Sequence, residues 1–353
     1  MTTAVNMEDI AKEFSEFIEN FKAGIENLAT MGPVKIATSE KETVYRDGRV
    51  QLYHYKPLQK KICPVPVLIS YALVNRPTML DLQEDRSLIR NLLNEGMDVY
   101  MIDWGYPDRS DRYLTLGDHI EGFIGGCVDY IREAHNLDKI NLLGVCQGGT
   151  MATIYSCLHP DKIKNFITTV TPIDFETSDG LLFSWSKSMH VDSMVDRYGL
   201  VSGDTMNRSY QMLGPLNLST QKYINMVDLM ANKKKLEDFL RMESWLMDSP
   251  DQAGETFRQF VNDLFRGNKL TKGELVINGK EVKLKNMTMP VLNIYAEFDT
   301  LVPPASTKPL NDHVGTKDQT LIGYPVGHIG MYVSGKIQKT LAPTIAKWIN
   351  ERV

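Results

Sequence analysis

The chain has 353 residues, of which 42% are hydrophobic, and a formal net charge of −5. That is ample length for a sizeable core in one large domain or two small ones, and the balance gives no basic excess of the kind that binds nucleic acid. Four widely spaced cysteines, Cys63, Cys127, Cys146 and Cys157, form no CxxC pair, which argues against a disulfide scaffold or zinc site and for free cytosolic thiols.

The first residues, MTTAVNMEDIAKEF, lack a basic start followed by an apolar run, so no secretory signal is expected. Residues 7–30 predict an amphipathic helix, with Ile10, Phe14, Phe17, Phe21, Ile25 and Leu28 at three- and four-residue steps. That stripe either packs on the chain's own core or serves as a docking face for a partner subunit or hydrophobic surface. Next, ETVYRDGRVQLYHY predicts a hairpin around Asp47 and Gly48. PVLISYALV reads as a strand buried on both faces, and the apolar stretch it belongs to is too short to span a bilayer. A soluble, cytoplasmic protein is therefore expected.

SLIRNLLNEG predicts a helix ending at Gly96, DVYMIDW another buried strand, LGDHIEGFIGGCVDYIREAHN a long helix, and KINLLGV a third buried strand. GTMATIYSCLHP follows as a helix and NFITTVTP as a strand. This alternation implies a mostly parallel sheet with helices on both faces. From 175 to 285 it stops, and helical pieces rich in methionine and aromatic residues take over, among them Phe183, Trp185, Met189, Met194, Met206, Met212, Met226, Met230 and Trp245. These form the core of an ordinary helical subdomain, a mobile cap over an oily site, or both. Strand patterns return with MPVLNIYAEFD and QTLIGYPVGH, and KIQKTLAPTIAKWINERV predicts a closing helix. The organisation expected is an N-terminal helix (1–30), an α/β core (31–174 and 286–353) and an inserted cap (175–285).

Gly144-Val145-Cys146-Gln147-Gly148-Gly149 lies between a buried strand and a helix, the context of a G-x-S-x-G nucleophile elbow with cysteine in the serine position. An α/β-hydrolase fold follows as the expected architecture. Gly144 and Gly148 leave room where strand and helix approach closely, and Gly149 loosens the crowding further. The helix N-terminus under the sulfur favours a thiolate, and the Gln147 backbone N–H is placed to donate to an oxyanion. Cys63, Cys127 and Cys157 lack this setting and read as small core residues.

In this fold the acid and then the histidine follow the nucleophile in the chain. Asp299 stands at the turn after VLNIYAEFD and is preferred to Glu297, two residues earlier. His328 lies in Gly327-His328-Ile329-Gly330, on a glycine-flanked loop after the last strand; the other histidines fall on helices, in the early hairpin or in the cap. The second oxyanion donor belongs in the loop Leu73-Val74-Asn75-Arg76-Pro77, with the Val74 N–H as candidate. Arg76 is either a local salt-bridge residue or a contact for an anionic substrate. Lys233-Lys234-Lys235 reads as a solvated helix face.

Together, GVCQGG, ALVNRPTMLDLQEDRSLIRNLL, DVYMIDWGYPDRSDRYLTLGDHIEG and the Asp299/His328 pair resemble the catalytic subunit of class III polyhydroxyalkanoate synthases over nearly the whole chain. Class IV is the nearest rival, and GYPDRSDRY looks more like class III. The short length also fits, since class I and II relatives carry a longer N-terminal domain. The resemblance implies polymerisation of (R)-3-hydroxyacyl-CoA, mainly 3-hydroxybutyryl-CoA, with CoA released. Cys146 would hold the growing chain, His328 would be its general base, and Asp299 would orient His328 or help activate the 3-hydroxyl. Val74 and Gln147 would be the oxyanion donors. It also implies no cofactor and no metal, a second non-catalytic subunit, a homo-oligomer, and a place at the surface of polyester granules in the cytoplasm.

The chemistry points the same way. A cysteine thioester keeps the acyl group as activated as it was on CoA, whereas a serine ester would have about the free energy of the product. Two other readings stand beside it: a cysteine-dependent ester or lactone hydrolase, and a non-catalytic granule-coating protein with a dead hydrolase fold.

Overall fold

The computed structural model describes residues 7–212 and 222–353. The apolar runs assemble into an eight-stranded sheet of β1 (Lys41–Asp47), β2 (Val50–Tyr55), β3 (Val67–Ser70), β4 (Val99–Asp103), β5 (Ile140–Val145), β6 (Ile163–Thr169), β7 (Val291–Ala296) and β8 (Gln319–Tyr324). Their order across the sheet is β1-β2-β4-β3-β5-β6-β7-β8. β1 and β2 form the hairpin, with Asp47 opposite Val50 and Gly48 in the left-handed region at φ 55°. β2 runs antiparallel to β4, and all later neighbours are parallel. This is an α/β-hydrolase fold.

Every residue of β3, β4 and β5 is buried, because helices cover both faces and leave no polar side for alternation. Successive residues of β5 feed opposite cores. Leu142 joins one hydrophobic cluster with Ile154, Phe166 and Phe260, while Leu143 joins the other with Leu92, Ile167 and Ile345. α1 (Met7–Thr30), α2 (Leu88–Asn94), α3 (Gly125–His135) and α4 (Gln147–Leu158) come in the expected order. Ser87 caps α2 by accepting from the Arg90 N–H at 2.9 Å, and Gly96, at φ 76°, lies just beyond its end.

Three elements differ from expectation. The strand expected over PVLISYALV stops at Ser70, and Tyr71 to Val74 leave the sheet as a loop. The long helix before β5 begins as a π-helical segment, Asp118–Ile124, and becomes α-helical only at Gly125. The closing helix is broken into Gly335–Gln338 and Leu341–Asn350.

Between β6 and β7 come α5 (Leu181–Ser188), α6 (Val191–Tyr198), α7 (Gly203–Gln211), α8 (Lys222–Met230) and α9 (Lys233–Met247). Val191, Val195, Val201, Met206 and Val261 form a small hydrophobic cluster of their own. The later part of the insertion behaves otherwise: Phe260, Leu264, Leu275, Val282 and Met287 join the core cluster that contains Leu142. α1 packs on α8, where Asn27 Nδ2 donates to the Met230 carbonyl at 2.8 Å. Its Phe14, Phe17, Phe21, Ile25 and Leu28 are exposed, so this stripe does not pack on the chain's own core; the Ile10 side chain lies outside the described residues. Among the described residues no helix is long and apolar enough to cross a membrane.

Candidate active site

β5 delivers the chain into a turn that only small neighbours permit. A Cβ on Gly144 would strike the Gly149 backbone, one on Gly148 the Ser70 and Tyr71 backbone, and one on Gly149 the Thr171 side chain. With those positions bare, α4 starts immediately after the strand, and Cys146 takes φ 53°, ψ −129°. A non-glycine residue at positive φ is strained and stays so only when its surroundings over-determine it. Here the Cys146 N–H donates to the Thr169 carbonyl of β6 at 3.0 Å. Its carbonyl accepts from Gly149 N at 2.9 Å and Thr150 N at 3.2 Å.

Cys146 is partly exposed, whereas the other three cysteines are buried. Burial pushes the Cys127 thiol up to about 12 and those of Cys63 and Cys157 upward as well. They remain neutral core thiols.

Asp299 follows the C-terminal end of β7, and His328 follows that of β8. His328 Nδ1 lies 2.7 Å from Asp299 Oδ2, with the Asp299 side chain buried and the His328 ring largely so. Asp299 Oδ1 accepts from Leu301 N at 2.9 Å and Val302 N at 2.8 Å, which fixes the carboxylate plane. The Cys146 sulfur stands close enough to the same imidazole to act on its charge. Burial alone would disfavour the charged ring, but the Asp299 carboxylate and the Cys146 sulfur outweigh it and raise His328 to about 10. Glu297, the rival acid, points to solvent. His54, His135 and His159 are engaged elsewhere, with Asp98, Tyr100 and Glu121 respectively.

Gln147 opens α4, so its N–H lies in the first turn, where no intrahelical acceptor exists. Its side chain reaches across to the loop after β3 and accepts from Leu73 N at 3.1 Å. Leu73 is thereby occupied, while among the described residues no acceptor takes the N–H of Val74. Arg76 makes the local salt bridge, with Nη2 2.6 Å from Asp103 Oδ2 in a buried setting.

The sequence reading missed Tyr71, Tyr210 and Tyr332. All three phenols are pushed upward by burial, and each is close enough to Cys146 for the sulfur to add to that shift. Tyr332 also shares a 2.7 Å hydrogen bond with Thr169 Oγ1. No periodicity or motif marks a tyrosine brought in from another element, so only the folded chain reveals them.

Residues 66–334 match the alpha/beta hydrolase fold family, and residues 6–92 match the N-terminus of poly-beta-hydroxybutyrate polymerase, a segment that includes the Val74 loop. The poly(3-hydroxyalkanoate) polymerase subunit PhaC of Allochromatium vinosum is 49% identical over 350 residues, 99% of either chain. The chain belongs to the poly(3-hydroxyalkanoate) polymerase family. Its likeness to the Synechocystis subunit of the same name is also 49%, over 99% of this chain and 94% of that one. Among solved structures, a putative lipase from Sulfolobus solfataricus superposes with a TM-score of 0.58 at 15% identity, over 89% of this chain and 93% of that one. A monoacylglycerol lipase from Paleococcus ferrophilus gives 0.54 at 16%, over 86% and 99%. At such identities the likeness concerns the fold alone. The polymerase family thus places its chemistry on a hydrolase scaffold.

Proposed function

We propose that this chain is the catalytic subunit of a class III type polyhydroxyalkanoate synthase, which polymerises (R)-3-hydroxyacyl-CoA, mainly 3-hydroxybutyryl-CoA, through a thioester on Cys146. The observation that carries the reading is the Cys146–His328–Asp299 line on a strained elbow, in a chain of the polymerase family. His328 holds the Cys146 proton while the sulfur attacks the thioester carbonyl of the substrate. The N–H groups of Val74 and Gln147 receive the oxyanion of the tetrahedral intermediate. On its collapse the C–S bond to CoA breaks, and the proton on His328 leaves with the CoA thiol. In the second half, His328 takes the proton of an attacking 3-hydroxyl, an oxygen ester forms, and the Cys146 thioester bond breaks. Asp299 keeps the ring oriented and stabilises its charged form.

No cofactor enters this scheme, since CoA leaves as a product. Acyl transfer wins over hydrolysis only if water is kept out, and the helices of the 175–285 cap provide the cover. The exposed Phe14, Phe17 and Phe21 of α1 form an apolar face suited to a non-catalytic partner subunit. The setting that fits this chemistry is a homo-oligomer at the surface of a cytoplasmic polyester granule.

The test is incubation with 3-hydroxybutyryl-CoA, following free CoA and polymer, with and without a partner subunit. CoA release matched by polymer, and lost in Cys146→Ala, is expected. Release of free hydroxy acid without polymer, or near-normal turnover by Cys146→Ala, contradicts the reading.

A further inference from the structure

The Val74 N–H sits on a loop held at both ends by residues from elsewhere. On one side Leu73 N donates to Gln147 Oε1 at 3.1 Å, which ties the loop to the elbow. On the other side the loop is tied to the inserted helices. Asn75 Nδ2 donates to the Leu246 carbonyl of α9 at 3.3 Å and to Asn207 Oδ1 of α7 at 3.4 Å. Asn207 Nδ2 donates to the same Leu246 carbonyl at 2.7 Å. Next along the loop, the Arg76 carbonyl accepts from Trp245 Nε1 at 2.8 Å. Asn75, Asn207 and Trp245 are all buried.

Asn75 itself adopts φ 56°, a conformation asparagine and glycine tolerate far better than other residues. Leu73, Asn75 and Arg76 also border a cavity of about 20 Å³ together with the buried Gln252, whose side-chain amide has no hydrogen-bond partner among the described residues. Atoms facing a void lose contacts on that side. The polar ties at Leu73 on one side and at Asn75 and Arg76 on the other fix the backbone around Val74 and so the direction of its N–H.

We infer that Asn75 is a positioning residue through which the inserted helices set the oxyanion hole: with α7 and α9 seated, the Val74 N–H points at the developing oxyanion, and when they lift, the donor is lost. This rests on the reading of Val74 and Gln147 as oxyanion donors to an acyl-transfer reaction at Cys146. In its consequence, the position of the cap governs not only access to the sulfur but also the chemical step itself. The carboxamide of Asn75 touches no reacting atom, and its effect travels through the backbone of its neighbour.

The experiment pairs two reactions of the same sulfur in the full chain. Acyl transfer from 3-hydroxybutyryl-CoA passes through an oxyanion, whereas alkylation of Cys146 by iodoacetamide does not. Asn75→Gly keeps the left-handed backbone and removes the carboxamide; Asn207→Ala removes its partner from the other side. In both variants the steady-state kcat should fall by about 10- to 100-fold, the range set by misplacing or losing one donor. KM and the alkylation rate should stay within about twofold of the wild type, well inside that range. A kcat within twofold of wild type in both variants would overturn the coupling, as would a parallel fall in alkylation or a loss confined to KM. A wild-type chain that releases no CoA would instead overturn the polymerase reading on which the inference rests.

Discussion

Two side chains from distant stretches meet at the imidazole of His328, and the energetics of that meeting are visible in its proton. His328 is largely withdrawn from solvent, which alone would disfavour its charge, yet Asp299 and Cys146 hold it up to about 10 against an ordinary value of 6.5. The folded chain thus keeps a proton that the unfolded chain has lost between about pH 6.5 and about 10, so the stabilisation from the pair is complete below the lower value and disappears as pH rises through the upper one. Replacing Asp299 with Asn leaves an oxygen for the Leu301 and Val302 N–H groups but removes the charge, and burial of His328 then dominates. Urea midpoints measured at about pH 6 and about pH 10 should draw together in Asp299→Asn, the wild type losing more stability over that interval; equal losses would mean that the carboxylate does not hold the proton. The places of Cys146, Asp299 and His328 in the fold were readable from the sequence because each stands where a strand ends, and strand ends are marked by apolar runs meeting Gly or a turn. Tyr71, Tyr210 and Tyr332 were not, since nothing local to a tyrosine records which sulfur it will face.

Buried strands and the helices between them were legible for a physical reason: β3, β4 and β5 are covered on both faces, so their sequences are unbroken apolar runs. The apolar pattern misleads where a loop is also buried. Tyr71, Ala72 and Leu73 continue the run of β3 but lie in the loop after it, buried in the core clusters rather than paired in the sheet. Likewise, Phe260, Leu264, Leu275 and Val282 read as cap and yet complete a core cluster, because hydrophobicity does not say which surface it will cover. The stripe on α1 was ambiguous in the same way, and the folded chain leaves it facing outward. Serine at Phe14, Phe17 and Phe21 together should therefore cost little stability, about 0.5 kcal/mol or less per exposed site. The same triple variant should weaken or abolish activation by a partner subunit, read as the length of the lag before CoA release becomes linear. An unchanged response to the partner would place the docking surface elsewhere.

For the molecule as a whole, the hydrolase scaffold does two things at once: the sheet brings Cys146, Asp299 and His328 to the ends of its strands, and the insertion ties down the loop carrying Val74. A polymerase needs that arrangement more than a hydrolase does, because its acyl-enzyme must wait for a hydroxyl rather than the nearest water. The waiting intermediate is also what distinguishes the account from any scheme in which CoA leaves without a covalent step. Full-length protein mixed with less than one equivalent of 3-hydroxybutyryl-CoA, quenched in acid, digested and examined by mass spectrometry should carry the hydroxybutyryl group on the peptide containing Cys146. It should carry none on the peptides with Cys63, Cys127 or Cys157. CoA released with no adduct at Cys146, or with the adduct on another residue, would contradict the account.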